Sequence, residues 1–274
     1  MATLTPRTYL FVPGNRPERF SKALASPTDV VVLDLEDAVS AEDKGRARES
    51  VCEQLAGMRP DERARIVVRI NDVASHWYAM DLRALLQSGA TQVMLPKAES
   101  ASQIESVLSA MPDTSVLALI ESARGVAAVD EIAMAPGVVR LAFGTLDLAL
   151  DLDLDIESGP EGLAYAAGRI AVASRVAGLV APIAGVTPQL DDETRLLSDL
   201  AQARRFGFGA KLCIHPKQVA PIHRALQPDP EAIEWARRVL AAEAASPGAA
   251  KLDGRMVDRP VVLQAERILA RSPH

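Results

Sequence analysis

The chain carries eight short apolar runs, most of them followed by a helix-like pattern, and each run stops at a polar or Gly/Pro cluster. The endings are FVPGNR, LDLEDAV, VVRIN, VMLPKAES, ALIESA, AFGTLD, APIAGV and KLCIHP. Strand-like and helix-like segments in alternation imply a parallel sheet, because each parallel strand needs a crossover to bring the chain back to the same edge. Eight such units closed into a barrel take about 250 residues, and this chain has 274. The expected fold is therefore α/β, a (β/α)8 TIM barrel over residues 1–226, with a C-terminal helical arm or lid over residues 227–274.

Strands are expected at Tyr9–Val12, Val30–Leu33, Ile66–Ile70, Gln92–Leu95, Val116–Ile120, Val138–Phe143, Val180–Ile183 and Ala210–Cys213. Pro17 suits the first turn of a helix reaching Ala25. Ser40 followed by Asp43 resembles a capping box for a helix ending near Met58. A single helix is expected over Gly125–Ala133, and the acidic stretch Leu148–Gly162 reads as a long excursion before the next helix. Beyond Leu226 the pattern changes to a helix over Pro230–Ala245, a Ser246-Pro247-Gly248 break, the segment KLDGRMVDRP and a last helix near Val261–Ala270.

Composition excludes several partners. The formal charge is −6, which leaves no basic field for nucleic acid. No apolar run reaches the length of a membrane span. The opening MATLTPRTYLFVPG lacks the charged-then-apolar layout of a signal peptide, so a cytoplasmic protein acting on a small molecule is expected. Cys52 and Cys213 have no metal-type spacing and read as small buried hydrophobes.

In parallel α/β folds chemistry sits beyond the carboxyl ends of the strands, and acids and an arginine collect there in this chain. Glu121 follows ALI and Asp147 follows the AFGTL turn; two such carboxylates can supply part of the octahedral oxygen shell of Mg²⁺, or they can make surface ion pairs. Arg69 closes IVVR and must meet a carboxylate, either of the protein or of a substrate acid held by its planar fork. Asp34, Glu36 and Asp37 fall within one turn and repel unless a cation or arginines sit among them. Glu36 and Asp37 around the waters of a metal ion, or a pairing with Arg16, would each satisfy that. Arg16, Arg19 and Lys22 cluster after the first strand, and Lys97 ends the fourth; they can cradle phosphates or lie solvated. His215 reads as a capping or packing histidine before Pro216, with acid–base work the alternative.

FVPGNRPERF, VVLDLEDAV, VVRIN, VMLPKAES, IESARG, GFGAKLCIHPKQV and DGRMVDRP, in this order and spacing, resemble the citrate lyase beta-subunit-like proteins of the HpcH/HpaI aldolase family, over nearly the whole chain. The resemblance implies a homotrimer or hexamer, Mg²⁺, and acyl-CoA thioesters with 2-oxo acids as substrates and products. It also implies a carbon–carbon lyase in which Glu121 and Asp147 hold the metal and Arg69 contacts substrate; Arg16, from the basic cluster, and Glu121 are expected to contact substrate as well. Asp253 of DGRM then matches a catalytic acid delivered by a neighbouring subunit, alongside Arg69. An aldolase of free hydroxy-oxo acids and a noncatalytic thioester-binding subunit are the alternatives. Where many members have Glu-Asp, this chain has Leu146-Asp147; where they have Asp-Gly-Val it has Ala184-Gly185-Val186; and Arg255 replaces a lysine.

Overall fold

The computed structural model describes residues 5–156, 159–246, 248 and 250–271. Eight parallel strands close in sequence order into a barrel: β1 (Thr8–Pro13), β2 (Val30–Asp34), β3 (Ile66–Arg69), β4 (Gln92–Leu95), β5 (Ser115–Ile120), β6 (Val138–Phe143), β7 (Ile183–Ala184) and β8 (Ala210–Cys213). β1 pairs with both β2 and β8, so no edge strand is left open. The protein is thus a (β/α)8 barrel followed by C-terminal helices. β2 is buried along its whole length, which is what strands covered on one face by the barrel interior and on the other by helices require. Tyr9, Val30, Val32, Val67, Met94, Leu117, Leu119, Ala142, Ile183, Ala210 and Leu212 fill the interior as one packed cluster.

The crossovers and tail contain α1 (Phe20–Ala25), α2 (Lys44–Ala56), α3 (Pro60–Arg63), α4 (Tyr78–Ser88), α5 (Ala101–Ala110), α6 (Ala123–Ala127), α7 (Val129–Met134), α8 (Thr145–Asp151), α9 (Ala164–Val176), α10 (Glu193–Arg205), α11 (Val219–Leu226), α12 (Pro230–Ala245) and α13 (Arg259–Ala270). α4 stops where Gly89, at φ 76°, takes the left-handed conformation that closes a helix C-terminus.

Local expectations fail at four places. The Ser40–Asp43 capping box does not form: the Ser40 side chain makes no cap bond, and the Asp43 carboxylate is taken by Asn15 and Arg46, at 2.8 and 2.9 Å. The expected Gly125–Ala133 helix is two helices, α6 and α7, that break at Ala128. The start of the expected acidic excursion is helical, since α8 runs on to Asp151. β7 begins at Ile183 instead of Val180, because pairing to Ala142 and Ala210, not apolar content, defines it. Pro247 of the expected break, and Glu157 and Ser158 of the acidic stretch, lie outside the described residues.

Contacts divide the chain into Thr5–Ile222 and a second unit that begins at His223, so the division falls inside α11. In the second unit α12 and α13 pack through Ala236, Val239, Val257, Val262 and Ala265. A two-stranded hairpin, β9 (Lys251–Leu252) and β10 (Arg255–Met256), turns at Asp253-Gly254, both at positive φ, the conformation a two-residue Asp-Gly hairpin loop calls for. Among the described residues no helix is long and apolar enough to cross a membrane.

Candidate active site

The carboxyl ends of β2 to β5 assemble a network of charges from residues far apart in the chain. Asp34 ends β2 in register with Arg69 at the end of β3. Arg69 donates from Nε to Asp34 Oδ1 at 2.7 Å and from Nη2 to Oδ2 at 2.6 Å. The same carboxylate accepts the backbone N–H groups of Glu36 and Ala38, so its lone pairs are fully used. The arginine fork therefore grips the protein's own Asp34. Its remaining nitrogen, Nη1, lies 3.0 Å from Glu36 Oε2, without hydrogen-bond alignment, and 3.4 Å from Asp37 Oδ2. The guanidinium also stacks 4.8 Å from the Phe11 ring centroid. Burial pulls the Arg69 pKa down, but Asp34, Glu36 and Asp37 more than offset it, so the side chain stays cationic.

Lys97 links this network to Glu121. Its ammonium donates to Glu36 Oε1 at 2.7 Å, and its backbone N–H donates to Glu121 Oε1 at 2.8 Å. The geometry needs Lys97 at φ 47°, a strained backbone state for a residue with a Cβ and one that gathers at functional sites. Burial lowers the Lys97 ammonium, yet the bond to Glu36 and the charges of Glu36, Glu121 and Asp37 hold it above its ordinary value. Lys44 completes the support: its ammonium donates to the carbonyls of Leu35 and Glu36, both at 2.7 Å, and clamps the turn that carries the acids.

Glu121 stands just past β5, 3% exposed. Burial first, then the Glu36 and Asp147 carboxylates, push its carboxyl up to about 8. Gly144 lies so close that a Cβ there would collide with the Glu121 side chain. Asp147 sits in the first turn of α8 and, among the described residues, takes no ion pair. Glu121, Asp147, Asp34, Asp37 and Arg69 all line one cavity at the barrel mouth, together with Phe11, Phe143, Leu146, Val186 and Leu212. Two uncompensated carboxylates facing one space suit a hard divalent cation. Among the described residues no group of three or more His, Cys, Asp or Glu is placed to hold a metal ion.

Other expected residues fall elsewhere. Arg16 is exposed and its Nε bonds Glu18 at 2.6 Å; it does not pair with the acids after β2, whose partners are Arg69 and Lys97. The Lys97 ammonium pairs with Glu36. His215 caps the turn after β8, its Nδ1 accepting the Lys217 N–H at 3.2 Å. Asp253, at the hairpin turn, pairs with Arg238 of α12 within the second unit. Lys211 was not anticipated: it is buried in β8, donates to the Gly185 carbonyl at 2.7 Å, and burial lowers its ammonium to about 8. A lysine inside the apolar run AKLC was the signal for it.

An eight-stranded parallel barrel whose mouth gathers two acids and an anchored arginine around one cavity is an enzyme's site. The family model for HpcH/HpaI aldolase/citrate lyase matches residues 7–216. The citrate lyase subunit beta-like protein of Mycobacterium tuberculosis is 39% identical over 269 residues, covering 96% of this chain and 94% of that protein. The (3S)-malyl-CoA thioesterase of Cereibacter sphaeroides is 33% identical, covering 97% and 94%. The crystal structure of CitE from Mycobacterium tuberculosis in complex with magnesium, acetoacetate and coenzyme A superposes with a TM-score of 0.87 at 36% identity, covering 98% of each chain. This chain belongs to the HpcH/HpaI aldolase/citrate lyase family.

Proposed function

We propose that the protein is a Mg²⁺-dependent carbon–carbon lyase that cleaves, or in reverse forms, a hydroxy-carboxyacyl-CoA thioester of the citryl-, malyl- or citramalyl-CoA kind, giving an acyl-CoA and a 2-oxo acid. The observation that carries it is that Glu121, Asp147 and Arg69 line one mouth cavity. Magnesium and coenzyme A in the CitE complex support the reading.

Glu121 and Asp147 are the residues that would hold Mg²⁺, which when bound supplies positive charge to the oxygens of the oxo-acid half. Lys97 fixes the orientation of Glu121 through its backbone N–H. Arg69, immobilised by Asp34 and the Phe11 ring, offers a fixed cation to the oxygen on which charge grows as the bond breaks; an anchored donor needs no reorganisation at that moment. Asp37, which lines the same cavity, and Glu36, held by Lys97 and Arg69, are the acids that would surround the waters of a bound cation. In cleavage the hydroxyl loses its proton, its carbon becomes the oxo carbon, and the electron pair of the broken bond passes to the acyl-CoA as an enolate, which takes a proton at carbon. Asp253, delivered by a neighbouring subunit of a homotrimer or hexamer, is the proposed proton carrier. Exposed Arg16, with Arg19 and Lys22, is the proposed contact for the CoA phosphates.

The test is a panel of CoA thioesters given to the purified chain with Mg²⁺ or with chelator, following released 2-oxo acid and acyl-CoA. Release with Mg²⁺ alone is expected. Free CoA without acyl-CoA would make the enzyme a thioesterase, and silence with every thioester would reject the reading. Mixing inactive Asp253→Ala and Arg69→Ala oligomers under verified subunit exchange should restore part of the activity; no recovery would reject the shared site.

A further inference from the structure

A second cavity lies beside the mouth, between β6–β8 and the helices α9 and α10, and shares Phe143, Thr145, Leu146 and Val186 with it. It holds about 110 Å³, less than a pocket for a whole drug-sized ligand, so it can take one arm of a molecule and not the whole of it. Phe143, Leu146, Ile156, Leu163, Val186 and Phe208 make most of its wall apolar. The cations in that wall are engaged: Lys211 donates to the Gly185 carbonyl at 2.7 Å, and Arg195 to Asp199 at 2.9 Å. Ala184, in register with Lys211 on the neighbouring strand, adds a methyl where an acid would have offered a charge.

The shared wall fixes which part of a ligand can enter. Thr145 and Leu146, which line both cavities, directly precede Asp147, which lines the mouth. We infer that the cavity receives an aliphatic arm on the hydroxyl-bearing carbon of the substrate, so that the enzyme selects thioesters whose oxo-acid half carries a side chain of several methylenes. This rests on the lyase reading and deepens it. A carboxylate-bearing arm would have to shed its water against an apolar wall whose cations are already paired, which disfavours it.

The test is condensation of acetyl-CoA with pyruvate, 2-oxobutyrate, 2-oxopentanoate, 2-oxohexanoate and oxaloacetate, together with calorimetric binding of each acid in the presence of Mg²⁺. Each added methylene is expected to raise kcat/KM and affinity about fourfold. Ala164→Leu and Ala203→Leu, which fill the cavity from α9 and α10, should abolish that gain and leave pyruvate unchanged; circular dichroism checks that both fold. A flat or falling series in the wild type, oxaloacetate ahead of 2-oxopentanoate, or a gain untouched in both filled variants would overturn the inference. If no acid is turned over, the lyase reading fails by itself. Calorimetry then decides the cavity: rising affinity with length, lost in the filled variants, sustains it, and equal affinities overturn it.

Discussion

The two halves of the barrel mouth handle buried charge in opposite ways. Across β2–β5, Asp34, Glu36, Arg69 and Lys97 bind one another, and Glu121 hangs from the same network through the Lys97 backbone. Across β6–β8, the buried Lys211 donates to a carbonyl and, among the described residues, makes no salt bridge, and most of the surrounding wall is apolar. The first half is built to hold charged atoms still, because a paired and fully bonded ion has one favourable position. The second is built to accept shape, because apolar contact is non-directional. A site with both can fix the reacting atoms on one side and choose the substrate on the other.

Breaking the paired half should have the largest effect. Arg69→Ala leaves Asp34 buried without its fork and should destabilise the barrel by about 3–5 kcal/mol in urea denaturation. Arg69→Lys keeps the charge but loses the bidentate grip, and should cost about 10²-fold or more in kcat/KM with a milder loss of stability. If Arg69→Lys turns over like the wild type, the arginine is only an ion-pair partner of Asp34.

The next effect is on the cation. Glu121→Gln and Asp147→Asn each remove one of the two carboxylates proposed to hold Mg²⁺ and should weaken it by about 100-fold or more in calorimetric titration, with the far-ultraviolet spectrum unchanged. Titrations that match the wild type in both variants would remove the metal from these residues.

The smallest effect belongs to the apolar half and sharpens the contrast. Lys211 titrates near 8 in the folded chain against 10.5 ordinarily, so between those values the unfolded chain binds more protons and stability rises with pH. Below about 8 the full penalty of burying the cation is present. Lys211→Met should therefore flatten the rise between about pH 8 and 10.5 and raise stability at pH 7 by on the order of 2 kcal/mol. A variant less stable than the wild type at pH 7 would mean that the bond to Gly185 outweighs the burial of charge.

Eight runs with alternating helices made the barrel legible, since the period of two layers is written locally along the chain. Position at the end of a run was enough to single out Glu121, Asp147, Arg69, Glu36 and Asp37, because strand ends of a parallel barrel share one rim. The Asp-Gly pair at Asp253 likewise carries its own turn geometry. Residue order alone did not reveal that the Arg69 fork is taken by Asp34, which lies 35 positions away, or that Lys97 reaches Glu36 across 61. Those partners are chosen by strand register when the sheet closes, and register depends on all the neighbouring strands at once. The apolar cavity is of the same kind: Leu146, Ala184, Leu163 and Phe208 are ordinary hydrophobic residues in sequence, and only the packing of α9 and α10 against β6–β8 leaves a space between them.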